Sequence, residues 1–224
     1  MWSKLKKQFR QWRIVLITAP TIGGLAIAAA YLGIFQLLEW ATLDQFFRLR
    51  HQEKVDNRIV IVTVGESDIK KAGQWPISDG LLAKLIENLK KQQPRAIGLA
   101  IYRDLPVEPG HQKLEKVFKS TPNLIGVEKL VGNSVSPPPT LDKLHQVGIA
   151  DLVLDADGKI RRGLLSVRTD DGKTKLSLGT KLALMYLDKE DIHLQEINAK
   201  NKYLRLGKAV FIPVSYTHLR AHET

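Results

Sequence analysis

The 224-residue sequence contains no cysteine, which excludes disulfide bridges, thiolate metal sites and a cysteine nucleophile. It also lacks the motifs G-x-S-x-G and H-E-x-x-H and a phosphate loop ending in G-K-[ST]. His111, His145 and His193 lie far apart and without the i, i+4 spacing of metal ligands, so we predict no metal and no cofactor. A hydrophobic fraction of 44% is enough for a folded core. The case for catalysis is weak.

Acidic residues are absent ahead of the first apolar run, where five basic residues are concentrated. These are Lys4, Lys6, Lys7, Arg10 and Arg13. They account for five of the +11 net charge, and in the rest of the chain acids and bases are interspersed. Such a distribution is typical of a solvated surface with a mild basic bias, and not of a nucleic-acid-binding stripe. We therefore predict no nucleic-acid partner.

Residues 14–38 form an apolar run of 25 residues without a charged side chain. A helix of that length, at about 1.5 Å per residue, covers the roughly 30 Å hydrocarbon core of a bilayer. The basic cluster at residues 1–13 predicts a cytoplasmic N-terminus by the positive-inside rule. We predict a single-pass transmembrane helix over 14–38 in the bacterial plasma (inner) membrane, with the main domain extracytoplasmic. A cleaved signal peptide is the alternative, although its apolar core would be only about 7–15 residues long.

Residues 58–214 have the alternating pattern of an α/β domain, after a stretch at 39–57 whose helical spacing predicts a stalk. Three apolar runs of strand length alternate with two helical patterns, and this rhythm predicts parallel strands joined by helical crossovers. The runs are residues 58–64, 96–102 and 123–130, and the helical patterns are a helix that Ser78 or Asp79 can cap and a helix over 111–119. The sequence predicts a mixed, largely parallel sheet flanked by helices.

An antiparallel hairpin is predicted where Asp155-Ala156-Asp157-Gly158 separates two strand-like runs, residues 149–154 and 163–168. The same turn invites a calcium interpretation, but an EF-hand loop needs glycine at its sixth position and Gly158 is fourth. The apolar residues 176–187 then predict a helix that Ser177 can cap. The domain thus combines a parallel sheet with an added antiparallel hairpin.

Two polar loops follow the first two predicted strands. Glu66, Ser67 and Asp68 follow the first strand, and Arg103 and Asp104 follow the second. Because ligands of open α/β sheets bind outside the carboxyl ends of the strands, we predict that these residues converge on one binding site. The alternative is a structural ion pair in which Arg103 satisfies a neighbouring carboxylate.

Trp75, between Gln74 and Pro76, admits two interpretations. Its ring can pack under the loop and fix the start of the next helix, which we favour, or it can stack on a ligand. We include it in the predicted ligand-binding set. That set is Glu66, Ser67, Asp68, Trp75, Arg103 and Asp104, with no catalytic residue.

Four stretches, in this order, resemble the CHASE domain of the second type, an extracytoplasmic sensory module of bacterial cyclases, histidine kinases and Ser/Thr kinases. The resemblance implies a sensor of an unknown small-molecule or environmental signal. It also implies further transmembrane helices and a cytoplasmic output domain, such as an adenylate cyclase or a two-component kinase. One departure is Ala100, where family members usually place an acidic residue. The matching stretches are residues 58–69, 73–79, 94–104 and 148–162.

The sequence leaves three hypotheses about function. The first is the sensory domain of a membrane receptor, which we expect to be a homodimer because outputs of such receptors act in pairs. The second is a membrane-anchored extracytoplasmic hydrolase that uses Glu66, Asp68 or Asp104 as acid or base. The third is a membrane-tethered adaptor. Residues 215–224 resemble a translated sequencing adapter, so we expect the natural protein to continue beyond Val214.

Overall fold

The computed structural model describes residues 2–198 and 203–211. The tail at residues 215–224 lies outside the described residues. The chain divides into two compact units, Met1–Val62 and Thr63–Thr224.

The first unit contains two helices, α1 (Trp2–Tyr31) and α2 (Gln36–Leu49). Gly33 ends α1 because its φ of 74° is left-handed, a conformation that glycine adopts without a Cβ penalty. The Ile34 amide donates to the Ala29 carbonyl and the Gly33 amide to the Ala30 carbonyl, both at 3.0 Å. This is a Schellman motif. The expectation of one uninterrupted helix over 14–38 is therefore corrected to two helices with a break at residues 32–35.

Within the described residues, neither α1 nor α2 alone contains an apolar stretch long enough to cross a membrane. Val15–Tyr31 and Gln36–Leu49 meet the requirement only together, as a pair bent by 72°. The predicted stalk at 39–57 is helical only as far as Leu49.

The apolar run at 58–64 is not a strand in the structure. Ile59, Val60, Ile61 and Val62 are between 54% and 82% exposed. Among the described residues no strand pairs with this run, and β-propensity without a partner ladder does not produce a strand. The prediction of a buried first strand is therefore wrong for the structure as described.

The second unit is built on a three-stranded parallel sheet in the order β1-β2-β3. Its strands are β1 (Ile97–Gly98), β2 (Leu124–Glu128) and β3 (Val147–Ile149). The helices of this unit are α3 (Glu66–Ala72), α4 (Asp79–Lys91), α5 (His111–Lys119), α6 (Pro139–Lys143) and α7 (Leu178–Asp188). The prediction of a mixed α/β domain with a parallel sheet is confirmed, as is the helix at 111–119. The expectation that the sheet is largely parallel is corrected, because three of the ten described strands are parallel and the other seven pair antiparallel.

Helices cover both faces of the sheet, because neighbouring residues of a strand point to opposite sides. Ile97 faces a core that α4 and α5 share, whereas Gly98 faces α7, where an added Cβ would lie 2.6 Å from Leu182 Cδ1. Glycine in β1 and β3 lets α7 approach this closely. The core consists of Ile77, Leu82, Ala83, Ile86, Ile97, Leu99, Leu114, Val117, Phe118, Leu124, Leu141 and Val147.

Both predicted helix caps are present. The Ser78 hydroxyl accepts from the Leu81 amide at 3.3 Å, and the Ser177 hydroxyl accepts from the Thr180 amide at 3.2 Å. These bonds satisfy amides that the first turns of α4 and α7 would otherwise leave without a partner.

The antiparallel part comprises two hairpins and a three-stranded sheet. The predicted turn at 155–158 does join two strands. The second of them comes earlier in the chain and is shorter than the predicted 163–168, and residues 166–168 pair with a later strand instead. The register of this hairpin shifts between Val153 and Leu154, because a bulge places one extra residue, Arg161, in the second strand. The hairpins are β4 (Val153–Leu154) with β5 (Ile160–Arg162) and β6 (Ser166–Arg168) with β7 (Thr174–Leu176), and the sheet consists of β8 (Leu194–Asn198), β9 (Tyr203–Leu206) and β10 (Ala209–Phe211).

Candidate ligand-binding site

Two loops of the second unit, residues 73–80 and 102–111, are hydrogen-bonded to each other, and we call them the paired loops. The Asp79 amide donates to the Val107 carbonyl at 2.7 Å, and the Gly80 amide donates to the Pro109 carbonyl at 2.8 Å. The contact is closest at Gly110, where a Cβ would lie 2.5 Å from the Gly80 Cα. The start of α4 and the loop after β1 therefore form one structural element.

A buried ion pair holds the paired loops from inside. Arg103 Nε lies 3.2 Å from Asp79 Oδ1, and the two side chains are 3% and 1% exposed. Arg103 Nη2 also donates to the Ile77 carbonyl. Burial lowers the pKa of Arg103, and the charge of Asp79 opposes that effect. The geometry of Arg103 is therefore that of the alternative interpretation given above, a structural ion pair. Its carboxylate partner is Asp79.

Asp79 Oδ2 receives two further contacts that sequence reasoning missed. The Val107 amide donates to it at 3.1 Å, and His111 Nδ1 lies 2.7 Å from it. The His111 ring is a third exposed, so it lies at the boundary between this buried cluster and solvent. The sequence offered Asp79 only as a helix cap, and nothing in the spacing of Asp79, Arg103 and His111 indicated that they meet.

The three residues predicted after the first strand form the first turn of α3. Asp68 Oδ2 accepts from the Gly65 amide at 3.0 Å, which caps this helix, and Glu66 and Ser67 are exposed. In the described part of the chain, no hydrogen bond or ion pair joins residues 66–68 to Arg103 or Asp104. The predicted convergence of the two loops thus stays a prediction.

Trp75 and Asp104 are the predicted site residues that the paired loops leave accessible. The Trp75 side chain is 58% exposed, so our favoured interpretation of a ring packed under the loop is wrong. Gln74 Nε2 donates to the Pro76 and Glu108 carbonyls at 3.4 Å and thereby holds the backbone beside the ring. Asp104 is partly exposed. The Trp75 ring and the partly exposed Asp104 therefore lie at the surface of the paired loops.

Two more carboxylates occupy the carboxyl ends of the parallel strands. Glu128, the last residue of β2, is buried and pairs with Lys175 at 2.6 Å. Asp151, two residues after β3, accepts from the Leu130 and Val131 amides at 2.8 Å each. Both positions are where ligands of parallel sheets bind, and both carboxylates already have protein partners.

The model of the CHASE2 domain matches residues 21–222 of the 224-residue chain. This chain belongs to the CHASE2 domain family. The match confirms the resemblance drawn from the sequence. CHASE2 domains are extracytoplasmic sensory domains and not catalytic ones. Neither a curated protein nor a solved structure matches the chain.

The β4–β5 hairpin of this CHASE2 domain is closed by a second charged cluster. Arg161 Nη1 lies 2.9 Å from Asp155 Oδ2, and Arg161 Nη2 lies 2.7 Å from Asp157 Oδ2. Arg162 adds a 2.8 Å contact with Asp155. The Arg161 guanidinium thus lies between the two carboxylates that a calcium ion would have used. Across residues 2–198 and 203–211, no three His, Asp or Glu side chains are grouped to hold a metal ion.

We expect the stability that Asp157 contributes to this hairpin to decline between about pH 4 and pH 2. The hydrogen bond from Arg161 lowers the pKa of Asp157 from 3.8 to about 2. A carboxylate with a lowered pKa in the folded state stabilises the fold above its unfolded pKa, and this contribution is lost as the pH falls from about 4 through 2. Asp157→Asn should therefore lose less stability than the parent chain between pH 5 and pH 2, measured by urea unfolding.

Asp170→Asn is the matched control, because Asp170 is exposed and its carboxylate has no ion pair or hydrogen bond within the part of the chain that the structure describes. Identical pH profiles for Asp157→Asn and the parent chain would contradict the assigned role of Asp157.

Proposed function

We propose that this chain is the sensory domain of a membrane signal-transduction receptor, with residues 1–13 in the cytoplasm and the α/β domain outside. The observation that carries the proposal is the CHASE2 match, which includes most of the uncharged run at 14–38 as well as the α/β domain. Residues 14–31 of α1 cover about 27 Å at 1.5 Å per residue, close to the thickness of the hydrocarbon core. The helix break at 32–35 then lies near the outer face, followed by Trp40, a residue type enriched at membrane interfaces.

Signalling requires a ligand that binds one of two conformations more tightly than the other. A near-complete switch needs about 5.5 kcal/mol of differential binding energy.

Exposure of Trp75 and Asp104 on the paired loops supports ligand contact there, with Arg103 positioning the loop from beneath. Glu66, Ser67 and Asp68 complete the proposed site, which takes a small-molecule or environmental signal. We propose that the receptor acts as a homodimer and that its further helices and its output domain lie beyond residue 214.

Reporter fusions test the orientation. We expect alkaline phosphatase joined after residue 60 to be active and β-galactosidase at the same junction to be inactive, because the phosphatase folds only after export. Replacing the five basic residues of 1–13 with glutamine should weaken this preference, since the positive-inside rule depends on them. Strong β-galactosidase activity after residue 60 in the parent chain would contradict the proposal.

Reading the gene past codon 214 tests the receptor context. We expect further apolar spans and a cytoplasmic cyclase or kinase domain. A stop codon directly after the sensory domain would count against a receptor and favour a tethered binding protein.

A further inference from the structure

The N-terminal part of α1 has two chemically different faces. A helix turns by about 100° per residue, so positions three and four apart share a face. The large apolar residues of this segment follow that spacing at intervals of three, four and three, within about 80° of arc. They are Trp2, Leu5, Phe9 and Trp12.

The basic residues follow the same period on the other side. Lys4, Lys6, Lys7, Arg10 and Arg13 lie within about 180° of arc, and this arc does not overlap the apolar stripe. No acidic residue occurs between positions 1 and 13. Aromatic and leucine residues on one face with lysine and arginine on the other are typical of helices that lie at a membrane surface.

The length of α1 supports the same interpretation. Its 30 residues extend about 45 Å, whereas the hydrocarbon core is about 30 Å thick. About ten residues must therefore lie outside the core, and the charges of residues 4–13 identify that excess as the N-terminal end. Helices longer than the core commonly tilt, which brings one face of the projecting end towards the headgroups.

We infer that residues 2–13 form a lipid-binding segment that inserts its Trp/Leu/Phe face among the headgroups and binds anionic phospholipids through its basic face. This inference rests on the proposed membrane anchor. Clustered basic residues beside a membrane span attract anionic lipid headgroups. The apolar stripe favours a membrane over a nucleic acid as the source of phosphate, because nucleic acid offers no counterpart to a continuous face of large apolar side chains.

The absence of cysteine makes the inference testable by single spin labels without background labelling. Phe9→Cys places a label on the apolar face, and Gln11→Cys places one two residues away on the opposite face without changing the charge. The full chain would be reconstituted in vesicles containing phosphatidylglycerol. Accessibility of each label to oxygen and to a water-soluble nickel complex would be measured by electron paramagnetic resonance.

We expect the Phe9→Cys label to have the higher ratio of oxygen to nickel accessibility. The contrast with Gln11→Cys should be lost when Lys6, Lys7, Arg10 and Arg13 are all replaced with glutamine. It should also shrink in vesicles of phosphatidylcholine alone. Equal accessibility at the two positions in phosphatidylglycerol vesicles would overturn the inference, and an undiminished contrast in phosphatidylcholine would overturn its anionic-lipid part.

A label at Ile27→Cys separates this inference from the anchor on which it rests. Ile27 lies in the apolar part of α1, between Ile14 and Tyr31. A label in lipid at Ile27→Cys with equal accessibility at positions 9 and 11 would overturn only the lipid-binding segment. Exposure of the Ile27→Cys label to the nickel complex would overturn the membrane anchor itself.

Discussion

Asp79→Ala is expected to lower the free energy of unfolding by about 3–5 kcal/mol, because it leaves the Arg103 guanidinium buried without a counter-charge. Both side chains of the pair are almost fully buried, so solvent cannot replace the lost partner. The substitution also removes the acceptor of the Val107 amide and of His111 Nδ1. Urea unfolding of the full chain in detergent, followed by circular dichroism, would measure the effect.

Two variants separate the ion pair from other causes. Asp104→Ala changes a neighbouring carboxylate that has no hydrogen bond or ion pair among the described residues, and it should change the unfolding free energy by no more than about 0.5 kcal/mol. The double variant Asp79→Leu/Arg103→Met should recover much of the loss, since apolar side chains of similar volume often replace a buried pair without penalty. Parent-like stability of Asp79→Ala would refute the structural role of the pair.

Gly148→Ala should destabilise the fold by about 1–3 kcal/mol, the usual range for overpacking a filled interior. An added Cβ at this β3 position would lie 2.8 Å from the Cα and 2.9 Å from the amide nitrogen of Leu178. Both contacts are with backbone atoms, so no rotamer change can relieve them and α7 must move away from the sheet. The same unfolding measurement would show the loss.

Gly179→Ala is the matched control for this prediction. Gly179 lies in the first turn of α7, one residue after Leu178, and has open space where a Cβ would be. Alanine is preferred to glycine in helices by up to about 1 kcal/mol, so this variant should be neutral or slightly more stable. If Gly148→Ala and Gly179→Ala had equal effects, close packing of α7 on β3 would not be the cause.

Ligand recognition is where the sequence and the structure differ most. The sequence indicated correctly that the loop with Arg103 follows a strand, and it included Arg103 and Trp75 in the predicted set. It could not indicate that Arg103 points into the protein while Trp75 points out. That outcome depends on Asp79, which is 24 positions from Arg103 along the chain and reaches it only because the 102–111 loop folds over the start of α4.

The strands show the same dependence on distant partners. The run at 58–64 has the stronger β-propensity of the first two predicted strands, yet it belongs to no strand within the described residues, whereas the short β1 forms a ladder with β2. Strand formation requires ladder hydrogen bonds from another segment, so residue preference alone does not decide which run joins the sheet.

The features that the sequence by itself determined are local ones. Each of them depends on residues within a few turns of one another: the helix at 111–119, the caps at Ser78 and Ser177, the turn that ends in Gly158 and the uncharged run at 14–38. The four stretches that resemble the family are local in the same sense. Only the tertiary structure decided the partner of Arg103, the exposure of Trp75 and the approach of α7 to Gly148. Each of these depends on atoms brought together from separate parts of the chain, and neither periodicity nor spacing encodes that proximity.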